Sequence, residues 1–135
     1  MASAIRLFRV IAPVTNIEEA ARFYSTHFDN PGFRVSPGRH YFDCGGVILA
    51  VYDPMADGDA QTVPHNGEHI YFAVPDLDAV FTRAEKAGGL STAIGDGNVP
   101  MGKIARRPWG EVSFYLHDPS GNPLCFVDEH SVYRG

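Results

Sequence analysis

The 135-residue chain predicts an α+β fold, two βαβββ modules whose strands make a curved, cleft-bearing mixed sheet. Three observations predict it. The chain carries an internal repeat, each copy passes from a strand-like run into a helical pattern, and turn residues then leave three short strands behind each helix. The implied organisation is a single domain over 1–135: module 1 at about 5–53, a linker at 54–67, and module 2 at about 68–129.

The repeat appears when Arg9–Asn16 (R-V-I-A-P-V-T-N) is laid over His69–Asp76 (H-I-Y-F-A-V-P-D), an offset of 60. Each run is apolar, of strand type, and ends in a residue suited to cap a helix, Asn16 or Asp76. Ile17, Ala20, Ala21, Tyr24 and Phe28 then recur at helical spacing. Leu77, Val80, Phe81 and Ala84 do the same in the second copy, where Gly88-Gly89 stops the helix.

Strands are expected after helix one at Gly32–Ser36, His40–Cys44 and Val47–Tyr52, broken by Pro37-Gly38 and Gly45-Gly46. After helix two they are expected at Lys103–Arg107, Glu111–His117 and Pro123–Asp128. Between the last two, Asp118–Asn122 (D-P-S-G-N) has Pro at its second position and Gly where a positive φ is easy. Gly46–Ala50 matches Gly121–Cys125 at an offset of 75, so fifteen extra residues fall around Ser91–Met101, a Gly-, Asp- and Asn-rich stretch that reads as a mobile loop. The linker is polar with Pro and Gly and should be exposed. Two open sheets leave edges and an apolar face each, which they can hide by curling together. A cleft between them is then the natural ligand site.

Composition narrows the partners. Apolar residues make 44% of the chain and charged residues 20%, a globular rather than disordered mix. The net charge is −5 with no polybasic run, which argues against nucleic acid. No apolar stretch approaches the roughly 20 residues that span a bilayer. The N-terminal residues lack a secretory pattern, and Cys44 and Cys125 form no close ligand pair. Two free thiols fit a reducing compartment, so a cytoplasmic protein is expected.

Three stretches carry a family resemblance. Asn16–Tyr24 (N-I-E-E-A-A-R-F-Y), His69–Asp78 (H-I-Y-F-A-V-P-D-L-D) and Pro108–Pro123 (P-W-G-E-V-S-F-Y-L-H-D-P-S-G-N-P) follow one another at module spacing. Together they resemble the vicinal oxygen chelate superfamily of glyoxalases, fosfomycin- and bleomycin-resistance proteins and extradiol dioxygenases. The resemblance implies one divalent metal that chelates two neighbouring substrate oxygens as a Lewis acid. It also implies a homodimer with clefts at the subunit interface. Mapped onto this chain, the family's ligand positions are Arg9, Ala50, His69 and Cys125, of which only His69 is of the expected type. Ala50 donates nothing, and Arg9 has no lone pair. A guanidinium about 4 Å from a dication costs roughly 8 kcal/mol at an effective dielectric of about 20. No cofactor is therefore expected, and the resemblance points to metal-free sequestration of a small molecule.

The expected ligand-binding residues are Arg9, Phe42, Tyr52, His69, Tyr71, Trp109 and Cys125. His69 can shuttle a proton or orient a ligand, or simply sit hydrogen-bonded in a strand. Cys125 beside it is a nucleophile only if ionised, and otherwise a small hydrophobe. Arg9, pointed into a cleft, needs an anionic ligand group or an internal carboxylate such as Glu111 or Asp43, unless its strand slips register and turns it to solvent. The rings can stack on a flat ligand or simply be core. Trp109, beside a Gly at a hairpin, is placed to reach the cleft mouth. Arg106-Arg107 reads as a solvated pair with one side chain on each face. The acidic balance favours a basic ligand at long range, and Arg9 opposes it locally. The alternatives are a metal-dependent lyase, isomerase or dioxygenase, its metal held by His69, Cys125 and His40 or Glu111, or a non-catalytic subunit with an exposed apolar patch.

Overall fold

Asn16 and Asp76 do what their positions predict. Each accepts a hydrogen bond from the backbone three residues on, Glu19 N and Ala79 N, both at 3.1 Å, and so starts a helix. In a computed structural model, which describes residues 4–135, the first module runs β1 (Arg9–Pro13), α1 (Ile17–Phe28), β2 (Phe33–Ser36), β3 (Arg39–Cys44) and β4 (Val47–Tyr52). The second runs β5 (Ile70–Val74), α2 (Leu77–Ala87), β6 (Ala105–Arg106), β7 (Val112–His117) and β8 (Pro123–Asp128). The fold is α+β with two βαβββ modules, as the repeat predicted.

The strands form two four-stranded mixed sheets, in the orders β1-β4-β3-β2 and β5-β8-β7-β6. In each, the first strand lies parallel to the last, which requires the helical crossover between them. The pairings reproduce both repeat offsets. Ile11 faces Ala50 across β1 and β4, and Tyr71 faces Cys125 across β5 and β8.

One core spans both modules. Tyr24, Phe42, Leu49 and Val51 of the first cluster with Phe114, Leu116, Leu124 and Phe126 of the second, beneath the two helices. Phe28 bridges the seam, its ring 5.1 Å from that of Phe72 and 6.1 Å from that of Phe126. The helix sides of the sheets therefore pack together, and alternation turns the other faces outward.

The D-P-S-G-N turn clasps the modules. The buried Tyr24 hydroxyl donates to Asp118 Oδ2 (2.6 Å), and Asn122 Nδ2 donates to Pro13 O (2.7 Å) as well as to Asp118. Asn66 reaches both sides, donating from its backbone to Asn122 Oδ1 and from its side chain to Ile11 O.

Three expectations change. The 91–101 stretch is pinned, not free: Leu90 bridges to Leu116, Ile94 to Pro100, and Met101 N donates to Ala93 O. Gly89 belongs to this bracing, since a Cβ there would lie 2.5 Å from His117 O at a φ of 94°. The expected strand at Lys103–Arg107 shrinks to Ala105–Arg106, because the segment before it is held by a side chain instead of a ladder. The linker is mostly exposed, but its start folds in. Pro54 is buried, and the Asp57 carboxylate accepts from Ser36 Oγ and Gly38 N.

Candidate functional site

Strand alternation gives each sheet an outward face, and the register names what shares it. On the first sheet, Ile11, Ala50, Tyr41 and Phe33 lie in one cross-strand row. Arg9, Ile48 and Asp43 form the row on one side, and Pro13, Tyr52 and Arg39 the row on the other. Ala50 is small and closed over at 1% exposure, so the row presents its apolar surface at its two ends, Ile11 at 46% and Phe33 at 52% exposed.

The arginines flanking that row differ. Arg39 is committed: its Nε lies 3.2 Å from Asp57 Oδ2, it donates to the Tyr41 hydroxyl at 3.4 Å, and its guanidinium sits 4.3 Å from the Tyr52 ring centre. The Tyr52 hydroxyl in turn donates to Asp59 (2.7 Å). Arg9 makes no hydrogen bond or ion pair among the described residues. Its guanidinium rests 5.1 Å from the Phe8 ring and 5.8 Å from that of Tyr41. Neither expected carboxylate meets it. Asp43 accepts Gly46 N, and Glu111 accepts from Trp109 Nε1 and Tyr133 N.

On the second sheet the equivalent row is Tyr71, Cys125 and Tyr115, with His69 just before β5. The His69 ring stands edge-on to Tyr115 at 5.0 Å and lies 6.1 Å from Tyr71. Burial, then the charge of His117, holds the His69 imidazole below its ordinary value, so it is neutral near pH 7. Burial pushes the Cys125 thiol up to about 11, against the pull of Ser113, Tyr115 and Arg107. Burial also drives the Tyr115 phenol well up, helped by Cys125 and Tyr71. All three groups are un-ionised at neutral pH, which leaves no thiolate nucleophile.

Arg107 supplies the charge on this face, and it corrects the expectation of a solvated pair. Only Arg106 is exposed; Arg107 is 5% exposed. Its guanidinium donates to Ser113 Oγ (3.0 Å) and to the carbonyls of Ser113 (2.7 Å), Lys103 (2.9 Å) and Met101 (3.3 Å), 5.1 Å from the Tyr115 ring centre. It latches residues 100–103 over the sheet, and Met101 packs on Tyr115, Cys125 and Val127.

The seven expected residues thus separate. Arg9 and Tyr52 lie on the first face; His69, Tyr71 and Cys125 lie on the second, with Cys125 fully buried. Trp109, 43% exposed, lines a hollow of about 180 Å³ with Val99, Met101 and Arg107. Phe42 is a correction: it is fully buried on the helix side against Tyr24 and Phe28, because alternation gives the outward position to Tyr41. Among the described residues, no hydrogen bond or ring contact joins the two faces. A groove of about 720 Å³ along the module seam, lined by Val10, Phe28, Leu49, Ile70 and Phe72, includes only Tyr71 of the seven. Tyr41, Arg39 and Tyr115 escaped the sequence reading, and Arg107 was misread as solvated. Both tyrosines are placed by cross-strand pairing, Tyr41 with Ala50 and Tyr115 with Cys125, which alternation along a single strand does not reveal.

The implied metal does not fit these donors. Its four positions hold a cation, a methyl group, an imidazole and a thiol, so at most two donors, fewer than the three ligands of a catalytic zinc site. Among the described residues no cluster of three or more His, Cys, Asp or Glu could hold a metal ion.

A family model described as Glyoxalase/Bleomycin resistance protein/Dioxygenase superfamily matches residues 6–126. Solved structures share the fold. A glyoxalase-related enzyme from Fulvimarina pelagi is 19% identical with a TM-score of 0.71, covering 96% of this chain and 92% of its own. A glyoxalase/bleomycin resistance protein from Albidiferax ferrireducens T118 is 21% identical at 0.69, covering 90% and 97%. A lactoylglutathione lyase from Agrobacterium tumefaciens is 22% identical at 0.63, covering 91% and 92%. No curated protein matches the sequence.

Proposed function

Since the chain belongs to the glyoxalase/bleomycin resistance protein/dioxygenase superfamily, we propose that it is a metal-free small-molecule-binding protein that sequesters a flat ligand against its outward sheet faces. The observation that carries this reading is the donor set at Arg9, Ala50, His69 and Cys125, which replaces two of the four metal-ligand positions with a cation and a methyl group. What remains is suited to holding a ring: Tyr41 and Phe33 on one face, Tyr71 and His69 on the other.

The protein acts as a homodimer in this reading. Leu7, Phe8, Ile11 and Phe33 are all more than 40% exposed. A second copy supplying the second face would turn two open half-sites into closed clefts. The site belongs to a cytoplasmic protein, consistent with two free cysteines.

Elemental analysis of protein purified without chelator, combined with a thermal-shift screen of aromatic small molecules, tests the proposal. The expected result is less than about 0.1 equivalents of any transition metal, with saturable binding of at least one ligand per chain that a chelator leaves unchanged. Near-stoichiometric metal lost on His69→Ala, with chelator-sensitive turnover of a hemithioacetal or a catechol, would replace it with a lyase or dioxygenase.

A further inference from the structure

We infer that the ligand of this cleft is a flat anion, an aromatic or conjugated carboxylate or enolate, whose charged oxygens are taken by Arg9. The inference rests on the ligand-binding reading above and narrows its ligand class.

The first face has the parts such a ligand needs. The row of Ile11, Ala50, Tyr41 and Phe33 crosses all four strands, with Ile11 and Phe33 exposed at its ends and Ala50 closed over between them. At about 4.8 Å per strand it extends roughly 14 Å, room for a fused ring system. Arg9 stands beside this row with all five N–H donors uncommitted among the described residues, and a planar guanidinium matches a carboxylate bidentately. Its placement is biased by Phe8 and Tyr41, which hold the cation by their ring faces without using its donors.

The contrast with Arg39 shows which arginine is available. Arg39 is neutralised by Asp57 and anchors the Tyr41 hydroxyl, so it positions the row. The acids of this face are occupied as well. Asp57 holds Arg39, Ser36 and Gly38, Asp59 accepts from Tyr52, and Asp43 caps the Gly46 turn across Ile48 from Arg9.

A cationic ligand meets the opposite situation. On the first face the rings of Tyr41 and Tyr52 each already carry a guanidinium, which leaves only Phe33 of the three open to a cation. The sequence-level expectation of a basic ligand, drawn from net charge alone, gives way here.

Three probes of one shape and different charge make the test: 2-naphthoate, 2-naphthamide and 2-naphthylmethylammonium, titrated calorimetrically into the full chain and its Arg9→Gln and Arg9→Lys variants. The expected result is that naphthoate binds best. Arg9→Gln should weaken it roughly ten- to a hundredfold, leave naphthamide unchanged, and be partly rescued by Arg9→Lys. Equal affinity for the three probes, or a naphthoate affinity untouched by Arg9→Gln, overturns the anion assignment while leaving the ligand-binding reading intact. Absence of binding by every probe overturns both.

Discussion

Removing the Arg107 guanidinium while keeping its stem, as in Arg107→Met, should loosen the 91–104 segment over the second sheet. The wild-type group makes four hydrogen bonds of 3.3 Å or less, to Ser113 Oγ and the carbonyls of Ser113, Lys103 and Met101. At about 1.5–3 kcal/mol for each bond to a charged group, their sum would be roughly 6–12 kcal/mol. Two effects cut that sum down. The variant no longer desolvates a guanidinium, which returns several kcal/mol. The freed carbonyls of Met101 and Lys103 can also turn to water once the segment lifts. A net loss of about 2–3 kcal/mol follows, or roughly 10 °C in Tm for a chain of this length. Urea denaturation should show it as a lower midpoint with unchanged slope. Hydrogen exchange should place it: the amides of Ser91 and Tyr115, which bond to Tyr115 O and Met101 O, lose protection. Those of β4 keep theirs, because none of its bonds touches the latch. A loss below about 0.5 kcal/mol with Ser91 and Tyr115 still protected would refute the latch.

Tyr24→Phe removes the buried donor to Asp118 across the modules and should cost about 2 kcal/mol in urea denaturation; a neutral result would show that Asn122 and the turn hold the seam alone. Stability should also fall on acidification. Burial lowers the folded-state value of both His27 and His69, so below the ordinary value of about 6.5 the unfolded chain binds protons that the folded chain refuses. That stability is fully present above this value and is lost as pH falls toward the folded-state values, which urea midpoints at neutral and mildly acidic pH will measure. Cys125, with its thiol near 11 and no exposed surface, should react with iodoacetamide at about pH 8 at least a hundredfold more slowly in native protein than in denaturing urea.

Much of this architecture was legible because it follows from local rules. The two repeat offsets, found by matching apolar runs, reappear as the Ile11–Ala50 and Tyr71–Cys125 pairings. The helix starts were legible for the same reason, since an Asn or Asp cap acts within three residues. Phe42 was misread, because an aromatic residue on a strand does not announce its face; only Tyr41 pairing with Ala50 settles it. Arg107 was misread as solvated for a different reason. Apart from the Ser113 hydroxyl, its close partners are backbone carbonyls of residues 101, 103 and 113, and every residue has a carbonyl, so composition carries little trace of the contact. The clasp was half visible: D-P-S-G-N reads as a turn, but its bonds to Tyr24, Pro13 and Asn66 span up to 109 positions of sequence.

Net charge and Arg9 favour opposite ligands, and magnitudes decide between them. Spread over a globule of about 18 Å radius, five negative charges raise an approaching anion by roughly 1.2 kcal/mol in water. Physiological salt, with a screening length of about 8 Å, cuts that several-fold. A carboxylate about 4 Å from Arg9 gains roughly 4 kcal/mol at an effective dielectric of about 20, before the bidentate hydrogen bonds are counted. Desolvation takes back part of this gain, but far less of it for an exposed group than for one fully buried. The bulk charge therefore acts on the rate of encounter and the arginine on the lifetime of the complex. Added salt should change the association rate of 2-naphthoate only slightly, and Arg9→Gln should act mainly on its dissociation.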